Sequence, residues 1–212
     1  MKIEQAGAAA LILGTLAMIG VMAFHPTGVH VGHVDEMARM LGVNVIVHSA
    51  AIAAAPLLAF GAFVLTRSIG FANAPAAMAF FAYLFAALAV MLAANMSGLV
   101  ATRLMQDLSE PTGMTHEMVR ALLRLEWYLN QAFATSYVAL FSGAIALWAL
   151  AWPDKGTLAA AIQIVGLTAG VGVFAWLASG TLTLDVHGMG AVALIQGAWT
   201  ILAAFGLLKR AA

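Results

Sequence analysis

Residues 24–48 read FHPTGVHVGHVDEMARMLGVNVIVH and hold four of the chain's six histidines. On either side lie long apolar runs, near 6–24 and 43–66. A helix needs about 20 apolar residues to cross a bilayer, and both runs meet that length. Their apolar residues are continuous, whereas the strands of a membrane barrel alternate apolar with polar residues. The flanks of this one stretch therefore decide the fold class: membrane-spanning helices, with polar residues gathered where the chain emerges.

Four further runs of sufficient length follow, near 74–104, 115–152, 157–180 and 186–208. The chain is 64% hydrophobic and 8% charged, against about 25% charged in an ordinary soluble domain. Lipid offers no partner to a backbone N–H or C=O, so each run must close its own hydrogen bonds as a helix. The expected architecture is an all-α integral membrane protein, a six-transmembrane-helix bundle occupying residues 1–212 as one domain. The first run reads as a retained span, because no small-residue cleavage motif precedes His25.

The third and fourth runs exceed the bilayer thickness, and their facing ends carry Arg103, Asp107, Glu110, Glu117, Arg120 and Arg124. They are expected to project as an extended polar helical hairpin between helices 3 and 4. Pro111-Thr112-Gly113 supplies its turn, and Thr115 caps the fourth helix with Glu117 in the first turn. A second Pro-Thr-Gly, at 26–28, hints at a repeated hairpin. Gly42 is expected to end a short amphipathic helix over 34–41, and Pro56 to bend the second span. Trp127, Tyr128, Trp148 and Trp152 read as interfacial belt residues of the fourth span. Gly166-x-x-x-Gly170 reads as a close helix-packing motif.

Six spans put both termini on one side, together with Lys2, Arg67, Lys155, Lys209 and Arg210. The other side holds Arg39, Arg103, Arg120 and Arg124. By the positive-inside rule, five cations against four place the termini in the cytoplasm, the spans being in an inner membrane. All six histidines then fall on the outer side with Asp35, Glu36, Glu117 and Asp185.

A formal net charge of zero argues against a nucleic-acid partner. The absence of cysteine excludes disulfides, thiolate ligands and Fe–S clusters. The remaining ligand set, imidazole with carboxylate, suits zinc, iron or copper. His48 lies deepest in a span, where an unpartnered imidazole is costly. His25, His116 and His187 stand at the ends of three other helices and are expected to converge on it. Glu117 and Asp185 complete or orient that set. His30, His33, Asp35 and Glu36 form a weaker second group. Helical spacing also lines up polar side chains as a pocket wall: Arg120, Arg124, Tyr128, Gln131 and Thr135 on the fourth span, Asn95 on the third and Asn44 a turn above His48. The twelve methionines are spread over several spans and read as core filler.

The expected function is an outward-facing His/carboxylate pocket that binds a divalent metal, for chemistry on a small or lipid-like substrate or for metal handling. One rival is a haem-bearing electron-transfer subunit, with His48 and one of His25, His116 or His187 as axial ligands. The other is a cofactor-free scaffold that docks a partner subunit, or a second copy of itself, through the polar hairpin.

Overall fold

The computed structural model describes residues 2–26, 34–109 and 115–211, with 34–39 and 108–109 described as backbone only. The Pro-Thr-Gly turn at 111–113, the repeat at 26–28 beyond Pro26, Glu110, His30 and His33 lie outside those residues, as do the side chains of Asp35 and Glu36. Among the described residues seven helices are formed: α1 (Ile3–Ala23), α2 (Val34–Ile69), α3 (Ala74–Asn95), α4 (Ala101–Ser109), α5 (His116–Ala151), α6 (Thr157–Ala178) and α7 (Val186–Ala211). A π-helical turn, Met96–Val100, joins α3 to α4, so that the two make one long rod. Six stretches of the described residues are long and apolar enough to cross a membrane: Ile3–Ala23, Met40–Ile69, Ala74–Asp107, His116–Ala151, Thr157–Ala178 and Val186–Ala211.

The spans pack as a closed ring in chain order, α1 on α2, α2 on α3, α3 on α5, α5 on α6, α6 on α7 and α7 back on α1. Short connections force consecutive helices to be antiparallel neighbours. Ring closure brings the two ends of the chain together, and the Lys2 ammonium donates to the Ala211 carbonyl. Lipid-tail and side-chain hydrocarbon are equally apolar, so small residues and internal hydrogen bonds must hold the ring. Ala76, Ala79, Ala86, Ala93 and Ala94 supply a buried small-residue face along α3. Large apolar residues such as Leu13, Phe81, Phe85, Ile164, Phe174 and Phe205 face outward and stay exposed.

The polar hairpin starts as the sequence predicts: the Thr115 hydroxyl oxygen accepts from the Met118 N–H at 3.2 Å, and α4 packs on α5. Two local expectations fail. The helix does not stop at Gly42, because α2 runs unbroken from Val34 to Ile69; a glycine tolerated inside a helix costs only about 1 kcal/mol, which packing along a 36-residue helix overrides. Trp148 and Trp152 are not belt residues: they are 1% and 3% exposed. Trp148 stacks on Trp199 at 6.0 Å between ring centroids and donates its N–H to the Thr66 hydroxyl at 2.9 Å.

Gly166 and Gly170 are where α6 meets α5. A Cβ on Gly170 would stand 2.6 Å from the Ser142 carbonyl oxygen and 2.8 Å from the Ala146 nitrogen, both backbone atoms that cannot rotate away. Gly172, on the same helix, has nothing within 4 Å. Gly170→Ala should therefore destabilise the detergent-solubilised protein by about 1–3 kcal/mol and Gly172→Ala should not, as read from thermal unfolding; equal melting temperatures would remove this contact from the account.

Candidate functional site

At the histidine end of the ring, a cavity of about 270 Å³ opens between α1, α2, α3, α5 and α7. Its wall is mostly apolar, with His25, His48, Ser97, Asn130, Gln131 and Asp185 as the polar groups that interrupt it. His25 follows the end of α1, and His48 lies within α2, 6% exposed. Their rings meet edge to face at 4.9 Å, and the two Nε2 atoms are 3.3 Å apart.

The hydrogen bonds on the far side of each ring fix what those Nε2 atoms are. The His48 Nδ1–H donates to the Asn44 carbonyl at 2.8 Å, and the His25 Nδ1–H donates to the Pro26 carbonyl at 3.1 Å. A carbonyl only accepts, so both protons sit on Nδ1. In the neutral rings each Nε2 is then a lone pair, and the two lone pairs face each other. Burial pushes the His25 imidazole below its ordinary pKa, outweighing the Pro26 hydrogen bond, which favours the charged form. Two neutral acceptors at this distance repel unless a cation, metal or proton, lies between them.

His48 is held from behind by the π-turn. A Cβ on Gly98 would fall inside contact distance of the His48 Cβ, so only glycine lets α2 approach α3 this closely. The π-turn breaks the regular i to i+4 hydrogen-bond pattern of the rod. Asn44 reaches across to it, its Nδ2 donating to the Ser97 carbonyl at 2.8 Å and to the Thr102 hydroxyl at 3.0 Å. From the other side the carboxyl of Glu126 on α5, 8% exposed, stands beside the Ser97 side chain. A polar path thus runs from the Ser97 carbonyl and the Thr102 hydroxyl through Asn44 to His48 and His25.

The other residues singled out in the sequence are placed differently. His116 and His187 are exposed and do not line the cavity. Among the described residues no three His, Asp or Glu side chains stand close enough to share a metal, so the expected four-histidine convergence is not formed. Sequence position put these histidines at the correct end of the bundle but not on the inward faces of their helices. Asp185 does border the cavity, yet its carboxylate accepts from the Gly188 N–H at 2.8 Å and thereby caps α7. That bond, with smaller contributions from the His187 N–H, the Thr183 hydroxyl and the His187 ring, holds Asp185 below the usual carboxylate pKa. Glu117, Arg120, Arg124, Tyr128 and Thr135 are exposed, so the polar stripe faces away from the cavity. The Thr135 hydroxyl bonds back to the Gln131 carbonyl, and the Asn95 amide to the Met91 carbonyl. Gln131 alone of that group reaches across, donating to the Leu184 carbonyl at 3.3 Å.

Two features escaped the sequence reading. Glu126 is not among the residues it singles out, although a carboxylate flanked by Leu125 and Trp127 inside a span is itself a functional signal. Met18, Met22 and Met189 line the cavity beside the histidines. Met18, Met22 and His25 follow helical spacing, which places all three on one face of the first span and its continuation.

Comparison with known protein families, with curated proteins and with solved structures returns no match to this chain. The chemistry of the site rests on its own geometry.

Gly98→Ala should separate the histidine pair and destabilise the fold by about 1–3 kcal/mol. Gly143→Ala, where nothing lies within 4 Å, serves as the control. A Gly98→Ala protein that melts with the wild type would show that the close approach of α2 and α3 is not needed.

Proposed function

We propose that the cavity binds a first-row transition metal ion on the Nε2 atoms of His25 and His48, beside an apolar chamber that receives a small or lipid-like molecule. The observation that carries this reading is the pair of opposed Nε2 lone pairs at 3.3 Å. Two nitrogens bound at 2.0–2.1 Å to one tetrahedral metal stand about 3.3–3.4 Å apart. The pair already has the spacing of one edge of such a site. Two protein nitrogens leave other coordination positions open, as in catalytic and transfer sites rather than structural ones. The thioethers of Met18, Met22 and Met189 add soft donors to the same wall, which favours copper over harder cations.

The haem reading is less well supported. Axial ligands on opposite faces of a haem stand on the order of 4 Å apart across the iron, with the porphyrin between them. Rings in edge-to-face contact leave no such plane, and His116 and His187 are not at the cavity. The scaffold reading leaves the opposed lone pairs without a purpose. In this proposal the protein sits in an inner membrane with cytoplasmic termini, the margin of basic residues being its support, and the cavity opens outward. An alkaline phosphatase fused after the last residue should be silent; activity of that fusion would invert the orientation.

Elemental analysis with an absorption spectrum of the purified protein tests the metal. One equivalent is expected, lost in His48→Ala and in His25→Ala and kept in His116→Ala and His187→Ala. Full metal content in His48→Ala would sink the proposal. Metal-free protein in which the two histidines titrate as a coupled pair would replace the metal by a shared proton.

The pH dependence follows from His25. A free imidazole is half protonated at about pH 6.5, and the buried His25 ring takes its proton only at lower pH. Because protonation competes with ligation, bound metal should survive dialysis at pH 6.5 and be released as pH falls further. Release complete by pH 6.5 would place the metal on an ordinary exposed histidine.

A further inference from the structure

At the opposite end of the bundle, a second cavity of about 280 Å³ lies where α5 ends, α6 begins and α7 ends. Lys155, Lys209 and Arg210 line it against one carboxylate, Asp154. Asp154 is already engaged, accepting from the Arg210 Nε–H at 2.7 Å. Among the described residues neither lysine has an ion-pair partner.

Two buried donors belong to the same wall. The Trp152 indole N–H, on a residue 3% exposed, has no hydrogen-bond partner among the described residues, and neither does Arg210 Nη2. The arginine lies over the indole at 4.7 Å, with its Nη1 held by the Ser68 carbonyl and hydroxyl. Buried donors left unpaired are costly, and both belong to residues that line this cavity. The third contribution comes from the backbone. Helix α6 starts at Gly156 without a side-chain cap, and Leu158 and Ala159 of its first turn border the cavity. An uncapped N-terminus presents free N–H groups and the positive end of the helix dipole.

Cations, buried N–H donors and a helix N-terminus around one cavity are the chemistry that recognises a phosphate group. We infer that this cavity binds phosphate, presented as the headgroup of an anionic phospholipid. Its position supports the lipid source: it sits at the ends of three apolar spans, at the depth where headgroups lie, and basic pockets between helix ends hold such headgroups. The site is independent of the histidine cavity and of anything bound there.

Native mass spectrometry of the full-length protein in detergent, titrated with phosphatidylglycerol, phosphatidylcholine or inorganic phosphate, tests the inference. Phosphatidylglycerol should bind more tightly than phosphatidylcholine, and its affinity should fall about fivefold for each lysine removed in Lys155→Ala and Lys209→Ala. Both lysines are exposed, so these variants should melt with the wild type. Trp152→Phe keeps a ring under Arg210 and removes only the N–H; it should weaken the same lipid. Lysine-dependent binding of inorganic phosphate that displaces the lipid would uphold the phosphate site while assigning it a free anion. Equal affinity for the two lipids, or affinities unchanged in both lysine variants together with no lysine-dependent phosphate binding, would overturn it.

Discussion

The structure depends on one constraint: inside a membrane a polar group has no water to turn to. The backbone answers it by remaining helical, and the π-turn at Met96–Val100 is the point where that answer is incomplete. The side chains answer it by pairing within the ring. Tyr137 donates to Gln196, which donates to Ser142, and Trp148 reaches Thr66 across the bundle. Each pairing joins two helices that apolar packing alone would let slide. What looks like a polar core in an apolar protein is therefore the register of the helices written in hydrogen bonds.

The π-turn links this constraint to the candidate site. Asn44 donates to its Ser97 carbonyl, and the same helix then presents His48 four residues later. Gly98 removes the side chain that would hold α2 away. The imidazole is positioned by rigid elements on three sides rather than by a loop, the arrangement in which ligand geometry is best kept.

The six spans were legible because continuous hydropathy is a long-range average that no single residue can upset, and the observed ends differ from the expected ones by a few residues. The Thr115 cap was legible because its signal is local. The same locality misled at Gly42, where a stop signal was outweighed by the length of α2. Trp148 shows another limit: a tryptophan near the end of a span suits either a belt or a core, and only the presence of Thr66 and Trp199 decides. Helical spacing showed that Arg120, Arg124 and Tyr128 share a face but not what that face meets, and it meets the outside. Of the candidate ligands, His48 and His25 were identifiable by depth and by the helix end. His116 and His187 shared the same end of the bundle, yet the rotation of their helices, which turns them outward, is set by packing on α3, α6 and α1.

Closing the ring between α1 and α7 has a consequence for how the protein is made. Helix α1 finds about half of its packing surface only when α7, far along the chain, arrives, on the order of ten seconds or more later. Until then Gly14 has Leu58 of α2 beside it but Thr15 lacks Gly197 of α7, and the histidine cavity lacks the wall that Val186, Met189 and Ala193 provide. The site thus comes into being only once α7 is in place, and a membrane insertase or chaperone that shields α1 in the interval would be guarding an unfinished pocket rather than an unfinished fold.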